Sequence, residues 1–398
     1  MGLGVGIATP VLPVLAESFG VSVGTASMVF VAQMAGGLAV AIPTGYAIDR
    51  FGRRRVLLAG PVITAAAAFL VATADTFTLL LVYRAIGGAG QQMWTVTRLA
   101  VIADTIEADS RGRQITRMLG VQRVGMLTGP LIGGFAAAAW GLSMPFVIQG
   151  AIVLAAVLPS FVVARESAPD RSVPTTAGVG PTEAASPAAT EESYSWRSLL
   201  RHPIPVLFTA QFFAMTARGG AIGGGTVFLY AVYAYDTGPA ALGLLSGVMG
   251  GVGIPATFMA GYLMDRFGRK VTIVPGLALM GLAYAFFAAT AFADLPFAAY
   301  VLAFVWIQAM QSLLTGSMQV LGSDLAPPGA RGKFFGAGRM VSQAAFIANP
   351  LSFAVLTAVS GFTAAFGFLG ATGFAGAAML GLFVQETHRP KRDESVKR

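Results

Sequence analysis

The chain has 398 residues, of which 55% are apolar and 11% charged. Soluble domains carry about 25% charged residues, so so few charges with a mean hydropathy of +0.71 exclude a soluble globule, and the apolar content excludes disorder over most of the length. The net charge of +8 would point to nucleic acid in a soluble protein, but in a membrane protein the basic residues collect in cytoplasmic loops, so no nucleic-acid partner is expected.

There is no cysteine, and the two histidines, His202 and His388, sit in polar flanks. Disulfides, thiolate nucleophiles and histidine metal sites are therefore not expected. No catalytic constellation is visible, so neither an enzyme nor a cofactor is predicted.

In chain order the sequence gives twelve apolar stretches long enough to be spanning helices. The first, 1–19, starts at Met1 and contains Pro10 and Pro13. As a helix it reaches about 28 Å, barely a span, and we read the start as truncated or mis-assigned. A cleaved signal peptide is the other reading, although the basic leader is missing. With both termini in the cytoplasm, the cytoplasmic loops hold Arg50, Arg53–Arg55, Arg111, Arg113, Arg266, Arg269, Lys270, Arg331 and Lys333. The opposite loops, near Glu17, Asp75, Ser143, Asp236, Asp294 and Ser360, hold no Lys or Arg. That asymmetry predicts the orientation. Residues 165–201 are rich in Ala, Pro, Ser, Thr and Glu and read as a disordered linker, ending in a short interfacial helix over 194–201. The expected organisation is a six-span half at 1–164, the linker, a second half at 202–385, and a basic cytoplasmic tail at 386–398.

The halves repeat. Gly45-Tyr46-x-x-Asp49-Arg50-Phe51-Gly52-Arg53 returns 216 residues later as Gly261-Tyr262-x-x-Asp265-Arg266-Phe267-Gly268-Arg269. Asp104, followed by Arg111-Gly112-Arg113, returns 220 residues later as Asp324, followed by Arg331-Gly332-Lys333. A duplicated six-span unit in parallel orientation typifies one large class of transporters.

These residues carry a resemblance. The loop Gly45-x-x-x-Asp49-Arg50-x-Gly52-Arg53-Arg54 resembles the loop 2–3 signature of the major facilitator superfamily. Leu81-Val-Tyr-Arg84-Ala-Ile-Gly87-Gly88-Ala-Gly90 resembles its fourth-span motif, with Gly87 where the family often has Gln. Gly125-x-x-x-Gly129-Pro130-x-x-Gly133-Gly134 resembles the fifth-span motif of its drug:proton antiporters. The resemblance covers essentially the whole chain. It implies an all-α membrane fold of twelve spanning helices in two parallel six-helix repeats. It also implies a transporter, usually monomeric, with a small-molecule substrate, protons as coupling ion, lipid around it, and the cytoplasmic membrane as its location.

The motifs suggest roles. Asp49 is at a helix end, where a helix N-terminus favours a carboxylate. By resemblance its partner is the eleventh span, starting near Phe334, and Arg53 reaches Asp104. Glycines at 45 and 52 would allow close approach and a tight turn. Gly45, Asp49, Arg50, Gly52, Arg53 and Asp104, repeated by Asp265, Arg266, Arg269 and Asp324, then form a conformational latch; the alternative is a loop that only sets topology.

Arg84, Arg98, Arg123 and Arg218 lie within apolar spans, where a charge must face the interior or a wet cavity. Arg84, Gln91 and Arg98 are seven residues apart and share a helix face, with Gly88, Trp94 and Thr95 nearby. The tenth span has a matching stripe of Gln308, Gln311, Thr315 and Gln319. By resemblance such faces line a central cavity. Arg84 reads as substrate or coupling chemistry, or as a structural hydrogen bond between helices. Arg98 reads as a snorkelling side chain, and Arg123 and Arg218 as binding or structural. Gly125, Gly129, Pro130, Gly133 and Gly134 form either an antiport hinge or a packing groove.

The acids fall at span ends, in the linker or in the tail, and the interiors of the spans contain none. The first-span acid of many proton-coupled exporters is missing from the residues before Pro10. The expectation is an exporter of small amphipathic molecules by proton antiport. The competing expectation, suited to buried arginines without buried acids, is a facilitator or symporter of a small organic anion.

Overall fold

The structure is a computed structural model. It describes residues 2–105, 108–158, 161, 203–219, 225–326 and 331–386, without the side chains of 99–100, 102–105, 108–123, 319, 323–324 and 331–332. The side chains of Asp104, Arg123 and Asp324, the 165–201 linker and the tail beyond Glu386 lie outside the described residues. Among the described residues there is no strand, only helix: α1 (Gly2–Ala8), α2 (Val11–Glu17), α3 (Val23–Phe51), α4 (Arg53–Ala72), α5 (Phe77–Thr105), α6 (Ala108–Trp140), α7 (Met144–Ala155), α8 (Ile204–Gly219), α9 (Gly225–Tyr235), α10 (Pro239–Phe267), α11 (Arg269–Phe292), α12 (Phe297–Leu313), α13 (Ser317–Leu325) and α14 (Arg331–Phe383). In that set five helices are long and apolar enough to cross a membrane, including α3, α4, α10 and α11. Large apolar side chains such as Ile42, Phe258 and Phe292 are exposed, the last by 81%. Lipid is the solvent in which that surface is stable.

The chain forms two compact units. The first comprises 1–187, 223–250 and 350–359. Its core contains Ile7, Val11, Ala26, Leu80, Phe146 and Val153, all fully buried. The Ser27 hydroxyl, on α3, donates to the Pro350 carbonyl at 3.1 Å, and the Tyr233 hydroxyl donates to the Val21 carbonyl at 2.8 Å. The second unit comprises 188–222, 251–349 and 360–398. Its core is aromatic: Phe287 stacks on Phe366 at 5.1 Å and meets Tyr300 edge-on at 5.6 Å.

The duplication is written in the backbone as well as in the sequence. Left-handed φ values occur at Gly20 (68°) and Asp236 (49°), at Gly52 (83°) and Gly268 (109°), and at Gly141 (91°) and Gly361 (76°). The first two pairs are 216 residues apart and the third 220, the offsets of the sequence repeat. At 52 and 268 the positive φ makes the hairpin between consecutive helices, a conformation glycine adopts without steric cost. Paired helices agree too, since α3 and α10 are each 29 residues long.

The repeat is not perfect. The helix starting at Phe77 runs unbroken to Thr105, but its counterpart from Phe297 stops at Leu313 and restarts at Ser317 across left-handed Gly316. The tenth-span stripe expected from sequence is therefore not one continuous helical face. The 1–19 stretch also breaks, between Ala8 and Val11, where Pro10 supplies no N–H for the ladder.

Candidate functional site

In the first unit the site grows from a close approach of backbones. A Cβ on Gly88 would overlap the Gln33 carbonyl, and one on Gly36 the Ala85 carbonyl, so α3 lies directly against α5. Arg84 and Gln91, one turn to either side of Gly88, then flank Gln33. The Arg84 guanidinium donates from Nη2 to Gln33 Oε1, and Gln33 Nε2 donates to Gln91 Oε1 at 3.0 Å. Arg84 is 9% exposed, and its Nε has no partner among the described residues. No carboxylate touches this guanidinium among those residues. Further along α5, the Arg98 guanidinium lies 4.2 Å over the Trp94 ring, a cation–π contact. Trp94 is held by α4, where a Cβ on Gly60 would lie 2.7 Å from its backbone N.

The α6 glycine row is a packing groove. Gly125 and Gly129 admit the α1 backbone at Leu3 and Gly6, with an added Cβ at 2.7 Å in each case, and Gly133 stands against Ile7 even more closely. Gly134 faces the other way, toward Pro239 and Gly243 at the start of α10, with its Cβ 2.5 Å from the Pro239 carbonyl. Pro130 lies inside a continuous α6. One helix therefore seats two others at backbone contact.

In the second unit Arg218, on α8, is 8% exposed. Its Nε donates to Gln311 Oε1 at 2.9 Å, its Nη2 to Thr315 Oγ1 at 3.3 Å, and its Nη1 approaches the Met215 sulfur at 3.8 Å. Among the described residues no carboxylate contacts it. The Asn349 amide donates to the Thr216 carbonyl and the Tyr284 hydroxyl to the Ala217 carbonyl, both at 2.7 Å. Gln308, 2% exposed, lies on the same α12 as Gln311.

The loop residues divide. Gly52 and Gly268 are buried at their turns, but Asp49, Arg50, Asp265 and Arg266 are exposed. Arg50 lies 5.6 Å over the Phe51 ring; Arg266 contacts the Tyr262 hydroxyl and lies 5.5 Å over the Phe267 ring. Gly45 does not provide the close approach expected of it, because a Cβ there meets nothing within 4 Å. Arg54 donates to the Phe161 carbonyl at 3.0 Å.

Sequence reasoning missed two residues. Gln33 stands alone in an apolar run, with no periodic partner to mark it. Glu386 was assigned to the tail, yet its carboxylate accepts from the backbone N–H groups of Arg269 at 3.0 Å, Lys270 at 2.9 Å and Val271 at 3.3 Å. It caps the N-terminus of α11, where an anion is favoured. A lone acid directly after the last apolar run was the available signal.

Comparison with known proteins follows this geometry. The Major Facilitator Superfamily profile matches residues 1–350. The chain belongs to this superfamily. As a member it is a multi-pass membrane protein of a transporter family. The Quinolone resistance protein NorA of Staphylococcus aureus is 31% identical over 167 residues, 41% of this chain and 42% of NorA. An uncharacterized MFS-type transporter of Mycobacterium tuberculosis is 33% identical over 129 residues, 32% of this chain and 19% of its own length. The chain thus matches less than half the length of these curated relatives. The fold is that of the D-xylose-proton symporter, at 19% identity and a TM-score of 0.72 over 97% of this chain and 96% of the symporter. The inward-open xylose transporter XylE from E. coli superposes with a TM-score of 0.71 at 18% identity, over 97% and 94% of the two chains.

Proposed function

We propose that this superfamily member exports small amphipathic molecules across the cytoplasmic membrane by alternating access, in exchange for protons. The observation that carries this reading is the α6 glycine row, which seats α1 on one side and α10 on the other at backbone contact. Helices packed on such a row move as rigid bodies and exclude a leak path between them. The partial likeness to a quinolone resistance protein supports a drug-like cargo. Both termini face the cytoplasm in this reading, with twelve spans in halves at 1–164 and 202–385 joined by the 165–201 linker. Gly45, Asp49, Gly52, Arg53 and Asp104, with Asp265, Arg269 and Asp324, serve as the cytoplasmic latch, and the chain works as a monomer.

A second reading, an organic-anion facilitator, is favoured by one observation: Arg84 and Arg218 are buried on amide and hydroxyl oxygens, without a carboxylate among the described residues. One experiment separates the two. Purified protein in liposomes is given norfloxacin and an imposed proton gradient. Antiport predicts accumulation that follows the gradient and collapses with a protonophore. Norfloxacin movement indifferent to the gradient supports the facilitator.

A further inference from the structure

Helix α8 carries a cation whose charge is not answered by its described neighbours. Arg218 is 8% exposed, and its partners are an amide oxygen, a hydroxyl and a thioether. A buried charge is tolerated when an opposite charge, or water, meets it at some point in the working cycle. Guanidinium has five N–H donors in one plane. Gln311 takes the Nε donor, Thr315 one on Nη2 and Met215 one on Nη1. One N–H remains on each terminal nitrogen, and such a pair can serve as a fork for the two oxygens of a carboxylate.

Neighbouring side chains hold the guanidinium in place. Asn349 and Tyr284 donate to the Thr216 and Ala217 carbonyls, which fixes the backbone that carries Arg218. Opposite, α12 stops at Leu313 and the chain turns through left-handed Gly316, so regular helix ends where Thr315 meets the guanidinium. Interrupted helices in transporters frame ligand sites in this way. Met215 beside the guanidinium and Phe346 beside Gly219 supply apolar surface.

We propose that Arg218 seats the carboxylate of an amphipathic organic acid, with Gln311 and Thr315 as positioning residues. The inference rests on the reading of the chain as a transporter of small organic molecules and adds a substrate class to it.

The test is equilibrium binding of 2-naphthoate and 2-naphthamide to the purified full-length protein. The two probes share their shape and differ in charge. Wild type should bind the acid at least about tenfold more tightly than the amide, the scale of one charge-assisted hydrogen bond. Arg218→Gln should erase the preference. Arg218→Lys, which keeps the charge and loses the fork, should bind the acid at least about threefold more weakly than wild type while still preferring it. Equal binding of both probes by wild type overturns the proposal, and so does a preference that survives Arg218→Gln. If Arg218→Gln does not fold, an Arg218→Lys protein with undiminished affinity for the acid overturns it. Norfloxacin movement without any preference for the acid sinks this inference alone. A clear preference without norfloxacin movement sinks the transport reading alone.

Discussion

Arg84 and Arg218 show the same chemistry held in two different ways. Each is a buried guanidinium donating to a glutamine oxygen. Arg84 lies in the middle of an unbroken helix, and its glutamine arrives because Gly88 lets α3 press against α5. Arg218 and the backbone beside it are held by side chains from elsewhere in its unit: Tyr284, Asn349 and Gln311. The first site is built from backbone contact and has no slack. The second is built from side-chain hydrogen bonds beside the interrupted α12. Backbone contact locks the helices around Arg84, whereas side-chain partners around Arg218 can be exchanged as a transporter changes state.

The contrast predicts different failures. The largest belongs to Gly88→Leu. A side chain there meets the Gln33 backbone, which cannot move aside, so overpacking costs at least about 3 kcal/mol. Thermal melts should show little or no folded protein. Gly316→Ala, near the second site, meets no atom within 4 Å and carries only backbone strain, about 1 kcal/mol. If the two variants melt alike, the contrast between packed and hydrogen-bonded sites is wrong.

Gln33→Leu comes next. It removes the one acceptor the Arg84 guanidinium has among the described residues, for a loss of roughly 1.5–3 kcal/mol. Gln311→Leu should cost less, because Thr315 and Met215 still meet Arg218. A larger loss for Gln311→Leu in denaturant titrations would reverse the ranking. Smaller again is Tyr284→Phe, which frees the Ala217 carbonyl and costs about 1 kcal/mol. It should weaken 2-naphthoate binding more than it lowers the melting temperature, since it loosens the backbone that carries Arg218. Glu386→Gln keeps one acceptor oxygen at the start of α11, turns the other into an amide donor and loses the charge, an effect of about 0.5–1 kcal/mol whose charge-dependent part should shrink as salt is raised.

Much of this arrangement was legible in the sequence, because repeats and helical spacing are local properties. The 216 and 220 offsets read from the sequence recur in the backbone, between the left-handed residues 52 and 268 and between 141 and 361. The seven-residue spacing put Arg84 and Gln91 on one face. The rest depended on tertiary contact. Gln33 has no partner on its own helix, so only the Gly88 approach reveals it. A single glycine is common inside a helix, so Gly316 did not announce a break. Gly45 and Gly88 look alike in a motif, yet one faces open space and the other a carbonyl. Glu386 finds its partner more than a hundred residues away, at Arg269.

The central claim is that the two buried guanidiniums serve transport and not folding alone. The direct measurement is norfloxacin exchange in proteoliposomes for wild type, Arg84→Gln and Arg218→Gln, with the melting temperature of each protein taken alongside. The account predicts melting temperatures at or above wild type, because an uncompensated buried charge has been removed, together with exchange at least about tenfold slower in both variants. Exchange at the wild-type rate in either variant would contradict it, as would exchange that falls only in step with the loss of folded protein.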